Sequence, residues 1–293
     1  MKIIVNEMPI DFQLEDETTV GSVVNGIRNW LTTNNHVVDQ VEVNGIVREP
    51  SDETWQTLPI EQTREIRIAA RSRYEHQIEG LDTLISYTGL LRRVMLEGND
   101  EQVKAVMEEL PYVVQGIGNI APDLSGLMEE PLADTEGDLP DESTRHRLAA
   151  RAAELEILFE NRQRELVDPE HEMALTLTIL DEILPRFEEI PAELQSGKEK
   201  AAMESITRFT EVASRILRIL PRVVEARPAL QTETVEDQPL TDAISGIHDL
   251  LAELETAFRN TDYVLVGDLL EYEILPRFSS LSTTVAGHLN NPR

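Results

Sequence analysis

The chain has 293 residues, no cysteine, and 55 Asp and Glu against 26 Lys and Arg, a formal net charge of −29. A field of that sign repels nucleic acid and anionic membrane surfaces and favours basic partners or divalent cations, while the missing thiols exclude disulfides, thiolate metal sites and cysteine nucleophiles. A hydrophobic content of 41% supplies enough core-forming material for two domains.

The opening MKIIVNEMPIDFQ carries one lysine and an apolar run broken by Asn6 and Glu7. It does not read as a signal peptide, and no later apolar run approaches the ~20 residues of a bilayer crossing. The expected location is cytoplasmic. Ile3, Ile4 and Val5 predict a first strand. Ile10, Phe12 and Leu14 alternate with Asp11 and Gln13 and predict a second, with Met8-Pro9 as the turn between them. Val20, Val23, Val24, Ile27, Trp30 and Leu31 fall on one helical face, with capping side chains in Asp16 to Thr19 and a stop at Asn34-Asn35. In VEVNGIVREP, Asn44-Gly45 sits between apolar runs and signals a hairpin, and TREIRIAA, residues Thr63 to Ala70, alternates as a last strand.

That order of strands around one helix is the order of a β-grasp domain. MKIIVN at the start, the VEVNG turn, the Trp55 segment and the closing REIRIAA resemble the small sulfur-carrier proteins of thiamine and molybdopterin synthesis, which have ubiquitin-like folds. The resemblance covers residues 1–71 and implies their fold. Sulfur carriers end in Gly-Gly, whose terminal carboxylate becomes a thiocarboxylate. Here the last strand runs into Ala69-Ala70-Arg71-Ser72-Arg73-Tyr74, so the family's reacting group is absent. What the resemblance leaves is a compact module able to offer a sheet face or edge to a partner.

From Tyr74 onward apolar residues recur at three- and four-residue steps. They predict three degenerate helical hairpins, turning at Gly98-Asn99-Asp100, Ser196-Gly197-Lys198 and Asn260-Thr261-Asp262, with a further helix over His146 to Leu166. The expected class is therefore α+β: a β-grasp domain over residues 1–71, then a mostly α-helical acidic domain of hairpins or a bundle over 72–293. Residues 119–142, acidic and with no basic residue, read as a flexible linker, and residues 226–239 as a second linker. The tetrapeptide ILPR occurs at Ile183, Ile219 and Ile274, twice extended to EILPRF. Proline inside a helix loses a hydrogen bond and clashes one turn back, so Pro111, Pro185, Pro221 and Pro276 are candidate helix kinks or ends.

No phosphate loop, G-x-S-x-G elbow or HExxH is present, and the six histidines form no repeated Glu-x-x-His pair. No catalytic residue, cofactor or metal ligand is assigned. In Asp262 to Phe278, the residues Asp268, Glu271, Tyr272 and Glu273 form a candidate partner contact. Aligning the ILPR copies sets Tyr272 opposite Leu217, which favours a core role for the ring. Arg215, Arg218 and Arg222 read as a solvated helix face paired with acid at i±4. The function expected is that of a non-enzymatic adaptor or scaffold binding a protein partner, a basic one being favoured by charge, and neither nucleic acid nor membrane. The alternatives are an acidic chaperone or export adaptor for basic or aggregation-prone clients, and a carboxylate-based, metal-dependent helical enzyme.

Overall fold

The N-terminal sheet begins with β1 (Lys2–Val5), which runs antiparallel to β2 (Met8–Ile10) and parallel to β5 (Glu65–Ser72). Strand β5 also pairs with β3 (His36–Val43), which carries β4 (Ile46–Arg48) on its outer edge, so the order is β2-β1-β5-β3-β4. The computed structural model in which this is seen describes residues 1–11, 17–49, 54–128, 139–187, 190, 193, 196 and 198–290.

Both hairpins turn through consecutive residues of positive φ, Asn6-Glu7 (48° and 64°) and Asn44-Gly45 (53° and 83°), the geometry that matches strand twist. The first turn is thus Asn6-Glu7 and not Met8-Pro9. Pro9 lies within β2, an edge strand, where its missing N–H removes no essential ladder bond. Phe12, Leu14 and Asp16 lie outside the described residues. The turn asparagines also fasten β5: Asn6 Oδ1 accepts the Ala70 N–H at 2.8 Å, and Asn44 Oδ1 accepts those of Arg64 and Glu65 at 2.8 and 3.2 Å.

Helix α1 (Val20–Thr33) starts in a capping box between Thr19 and Ser22 and lays Val20, Val23, Val24, Ile27 and Leu31 against Ile3, Val5, Val41, Val43, Ile66 and Ile68. Trp55 completes this core, its indole N–H donating to the Glu49 carbonyl at 2.9 Å. Trp30, assigned to the buried face by its spacing, is 53% exposed. A mixed five-stranded sheet crossed by one helix is the β-grasp layout, and with the helices that follow, the class is α+β.

Ser72 ends β5 and is also the N-cap of α2 (Arg73–Glu97), in a capping box with Glu75. Helix α3 (Asp100–Ile120) returns after Gly98-Asn99. A Cβ on Gly98 would stand 2.5 Å from the Val94 carbonyl, so that turn closes only around glycine. Helix α4 (Glu142–Val167) carries buried Leu148, Ala152, Leu155 and Phe159, and the Arg92–Glu156 and Arg145–Asp100 pairs, 3.2 and 2.7 Å, connect it to α2 and α3. The tract read as the first linker is helical at its described ends, a 3-10 stretch over Pro122–Met128 with Leu124 buried preceding α4. Its residues 129–138 lie outside the described residues.

Inside this hairpin the Tyr87 hydroxyl donates to the Val106 carbonyl at 2.9 Å. Burial first, and the Glu109 carboxylate second, push the phenol above its ordinary range. The folded pKa is raised, so this stability is fully present below the ordinary phenol value of about 10 and drains as pH rises beyond it. Tyr87→Phe should cost about 1 kcal/mol near neutrality. It should also shallow the loss of stability above about pH 10, measured by urea unfolding across an alkaline series.

The chain divides into compact units at Gln163/Arg164, inside α4. The second unit contains α5 (Pro169–Phe187), α6 (Glu199–Ala226), α7 (Leu240–Arg259), α8 (Tyr263–Asp268), a π-helical segment (Leu269–Ile274) and α9 (Leu275–Leu289). One apolar core runs through it from Met173 to Val285. Leu194 and Gly197 of the middle turn lie outside the described residues. The supposed second linker is ordered: a 3-10 turn (Pro228–Thr232) and a short ribbon of β6 (Thr234–Val235) and β7 (Gln238–Pro239), held by fully buried Leu230 and Val235. Two apolar anchors in a polar tract were enough to order it. Among the described residues no helix is long and apolar enough to cross a membrane.

Candidate functional site

The two EILPRF copies fold alike. Ile183 and Ile274 are buried, Leu184 and Leu275 half-buried, Pro185 and Pro276 exposed, Phe187 and Phe278 buried. Both phenylalanines meet Phe209 of α6 edge to face, with ring centroids 4.8 and 5.0 Å apart and planes at 62° and 77°. The repeat therefore marks two related corners of one aromatic core, favoured by the quadrupoles of the rings.

The prolines are accommodated differently. Pro111, Pro185 and Pro221 lie inside α3, α5 and α6, whereas Pro276 follows the π-helical segment at the start of α9. There the Leu275 N–H reaches back five residues to the Leu270 carbonyl. The wider turn makes room for a ring that would strike the Tyr272 carbonyl in a regular α-helix. Pro185 has no such relief, so Pro185→Ala should raise stability by about 1–3 kcal/mol. Pro276→Ala should change it by less than about 1 kcal/mol, because Phe278 holds the register. Thermal melting of the two variants side by side checks this; equal gains would mean that the π turn relieves nothing.

Leu184 and Pro185 face Leu275 and Pro276 across a groove of about 540 Å³ whose lining is completed by Glu271 and Ser279. Two copies of the repeat thus form the walls. Asp268, Glu271, Tyr272 and Glu273 are all exposed, and Glu271 belongs to the groove lining itself. Tyr272 is 64% exposed, so its ring is not core. The alignment with Leu217 presumed α periodicity before the proline, and the π turn swings residue 272 outward instead. Its phenol is shifted upward by the hydrogen bond with the Glu271 carboxylate first and by the Asp268 charge last. Glu273 is paired with Arg277 at 3.2 Å, and Arg277 also approaches Glu236 at 3.7 Å. Among the described residues no three His, Asp or Glu side chains converge as a metal site would need.

A second cluster escaped the spacing argument. Glu165, only 4% exposed, accepts from Arg215 Nε at 3.0 Å and from Arg218 Nε and Nη2 at 2.8 and 2.9 Å. Arg215 Nη2 continues to Glu172 at 2.5 Å, Arg222 Nε reaches the Leu166 carbonyl at 3.4 Å, and Arg227 grips Glu170 through Nε and Nη2 at 3.0 and 3.1 Å. Arg215 and Arg218 are therefore no solvated face, since their partners lie some fifty residues away on α4 and α5, while Arg222 also pairs locally with Glu225 at 2.8 Å. The one signal in the sequence is that Glu165 and Glu172 are spaced by seven residues, as are Arg215 and Arg222.

Residues 173–284 match the family described as a domain of unknown function, DUF8042, and residues 1–72 match the family described as the TP0873 N-terminal domain. No curated protein and no solved structure matches the chain. The first match covers nearly the whole core of the second unit, and the second ends where β5 ends, at Ser72. Neither description speaks of sulfur transfer.

Proposed function

We propose that this is a non-enzymatic, cytoplasmic adaptor that binds another protein through its second unit, with the ubiquitin-like N-terminal module offering a further surface. The observation carrying this reading is that Tyr272 and Val264 stand 64% and 70% exposed although the core of the second unit is complete without them. An exposed tyrosine on a helical segment is a side chain that interfaces favour, since it buries much area at little entropic cost. On the N-terminal module, Ile46 and Val47 of edge strand β4 are 55% and 54% exposed, a place where a partner strand can add. The full chain used as bait in native lysate should retain a defined protein that stays with it in constant ratio through gel filtration. Failure to hold any such protein, or turnover of a metabolite by the purified chain, would overturn the reading. The net charge of −29 also suits a chaperone or export adaptor for basic clients, for which binding must weaken as salt rises.

A further inference from the structure

We infer that the Leu-Pro groove receives a cationic amphipathic segment of the partner protein, an inference that rests on the adaptor reading and names the chemistry of what is bound. The floor is apolar: Leu184 and Leu275 are half-buried, and the rings of Pro185 and Pro276 line the opening. One acid, Glu271, lines the groove itself, and further acids precede the prolines along both helical segments that form the walls. On α5, Asp181 and Glu182 stand one turn before Pro185; across the groove, Asp268 and Glu271 occupy the two turns before Pro276, and all four are exposed.

Among the described residues none of these four carboxylates is in an ion pair. Asp181 only accepts a long hydrogen bond from Ser282 Oγ at 3.4 Å, and Glu271 is engaged with the Tyr272 hydroxyl. The contrast with Glu165, Glu170, Glu172 and Glu273, each bound to an arginine, is sharp. The prolines add backbone acceptors to the same rim, since neither can give an N–H to the carbonyl one turn back, those of Asp181 and Tyr272. An apolar floor inside a rim of acceptors suits a side chain such as lysine or arginine, whose methylene stem packs while its head stays at the charged edge. A second copy of this chain, equally acidic, is repelled, as is any anionic surface.

The test uses the full-length protein and three fluorescent peptides of about 16 residues. One is a Leu/Lys amphipathic helix, one has the same composition scrambled to destroy the apolar face, and one is its Leu/Glu counterpart. The Leu/Lys peptide should bind by anisotropy, the scrambled peptide about tenfold more weakly, and the Leu/Glu peptide not at all. Asp268→Arg with Glu271→Arg should weaken the Leu/Lys peptide by at least about tenfold. Ser279→Trp, which fills the groove from an exposed position and leaves the charges alone, should do the same, whereas Glu101→Arg with Glu108→Arg on α3 should leave it within about twofold. Circular dichroism melts establish that each variant is folded.

Equal binding of the scrambled peptide, or equal loss in the α3 control, would reduce the effect to net charge and overturn the inference. Undiminished binding in Ser279→Trp would overturn it as well. If the lysate partner of the full chain still co-purifies with Ser279→Trp, the groove inference falls while the adaptor reading stands; if no partner is held by the unaltered chain, the adaptor reading itself has failed.

Discussion

Phe209→Ala should lower stability by about 4 kcal/mol, a large part of the ~5–15 kcal/mol that holds a typical protein folded. Phe209 is fully buried and is the middle ring of three, with Phe187 on one side and Phe278 on the other. Truncation removes a large apolar side chain, leaves a cavity, and forfeits two edge-to-face contacts of about 0.5–1.5 kcal/mol each. Phe209→Leu retains most of the volume and should recover more than half of the loss, the remainder being the ring geometry. Urea unfolding followed by far-UV circular dichroism measures both. Because the ring joins α6 to both EILPRF corners, the alanine variant should also loosen the groove, and with it binding of the Leu/Lys peptide. A loss near 1 kcal/mol would mean that the three rings pack loosely and that the repeat has no common anchor.

The second large effect is expected at Glu165. Removing this carboxylate leaves Arg215 and Arg218 facing a site almost closed to water. Breaking one side of a buried ion pair costs about 3–5 kcal/mol, and since the two arginine side chains keep 26% and 36% of their exposure, about 3 kcal/mol is expected for Glu165→Leu. The double variant Glu165→Leu, Arg218→Leu should lie within about 1 kcal/mol of the unaltered protein, because a well-packed apolar pair can replace an ionic one and Arg215 keeps Glu172. The double-mutant cycle by urea unfolding decides it. If the single change costs nothing, the network is solvated in solution and adds no connection between α6 and the helices preceding it.

How much of this was legible in the sequence depended on the range of the interactions. The helical hairpins, the face of α1 and the Asn44-Gly45 turn follow from periods and local turn chemistry, which neighbouring residues settle among themselves. Trp30 went astray because it sits at the edge of the apolar stripe, where spacing cannot say how far the sheet extends. Asn6-Glu7 lacks the glycine that usually advertises such a turn, and its asparagine is selected by a bond to Ala70 far along the chain. The same holds for the candidate site. Asp268 and Glu271, which helical spacing turns toward water, are exposed, but the same spacing turns Tyr272 inward because nothing local announces a π turn. Only the fixed positions of Phe278 and Phe209 require it. The arginine network is not legible locally because Arg215 and Arg218 reach acids some fifty residues back in the chain, whereas Arg222 does pair with its neighbour Glu225.

Ser72 belongs at once to a strand and to a helix: it pairs with His36 at the end of β5 and caps α2, while the Arg73 N–H donates to the Asn35 carbonyl at 2.8 Å. No slack residue separates sheet from helix, so the junction is a rigid weld and not a hinge. A protease that needs several extended, loose residues should find no purchase there. A tag or cut placed after residue 71 would remove a strand end and a helix cap in one stroke. Force applied along α2 would be borne in shear by the hydrogen bonds of β5 on both its flanks, with β1 and with β3, the arrangement in which a sheet resists pulling best.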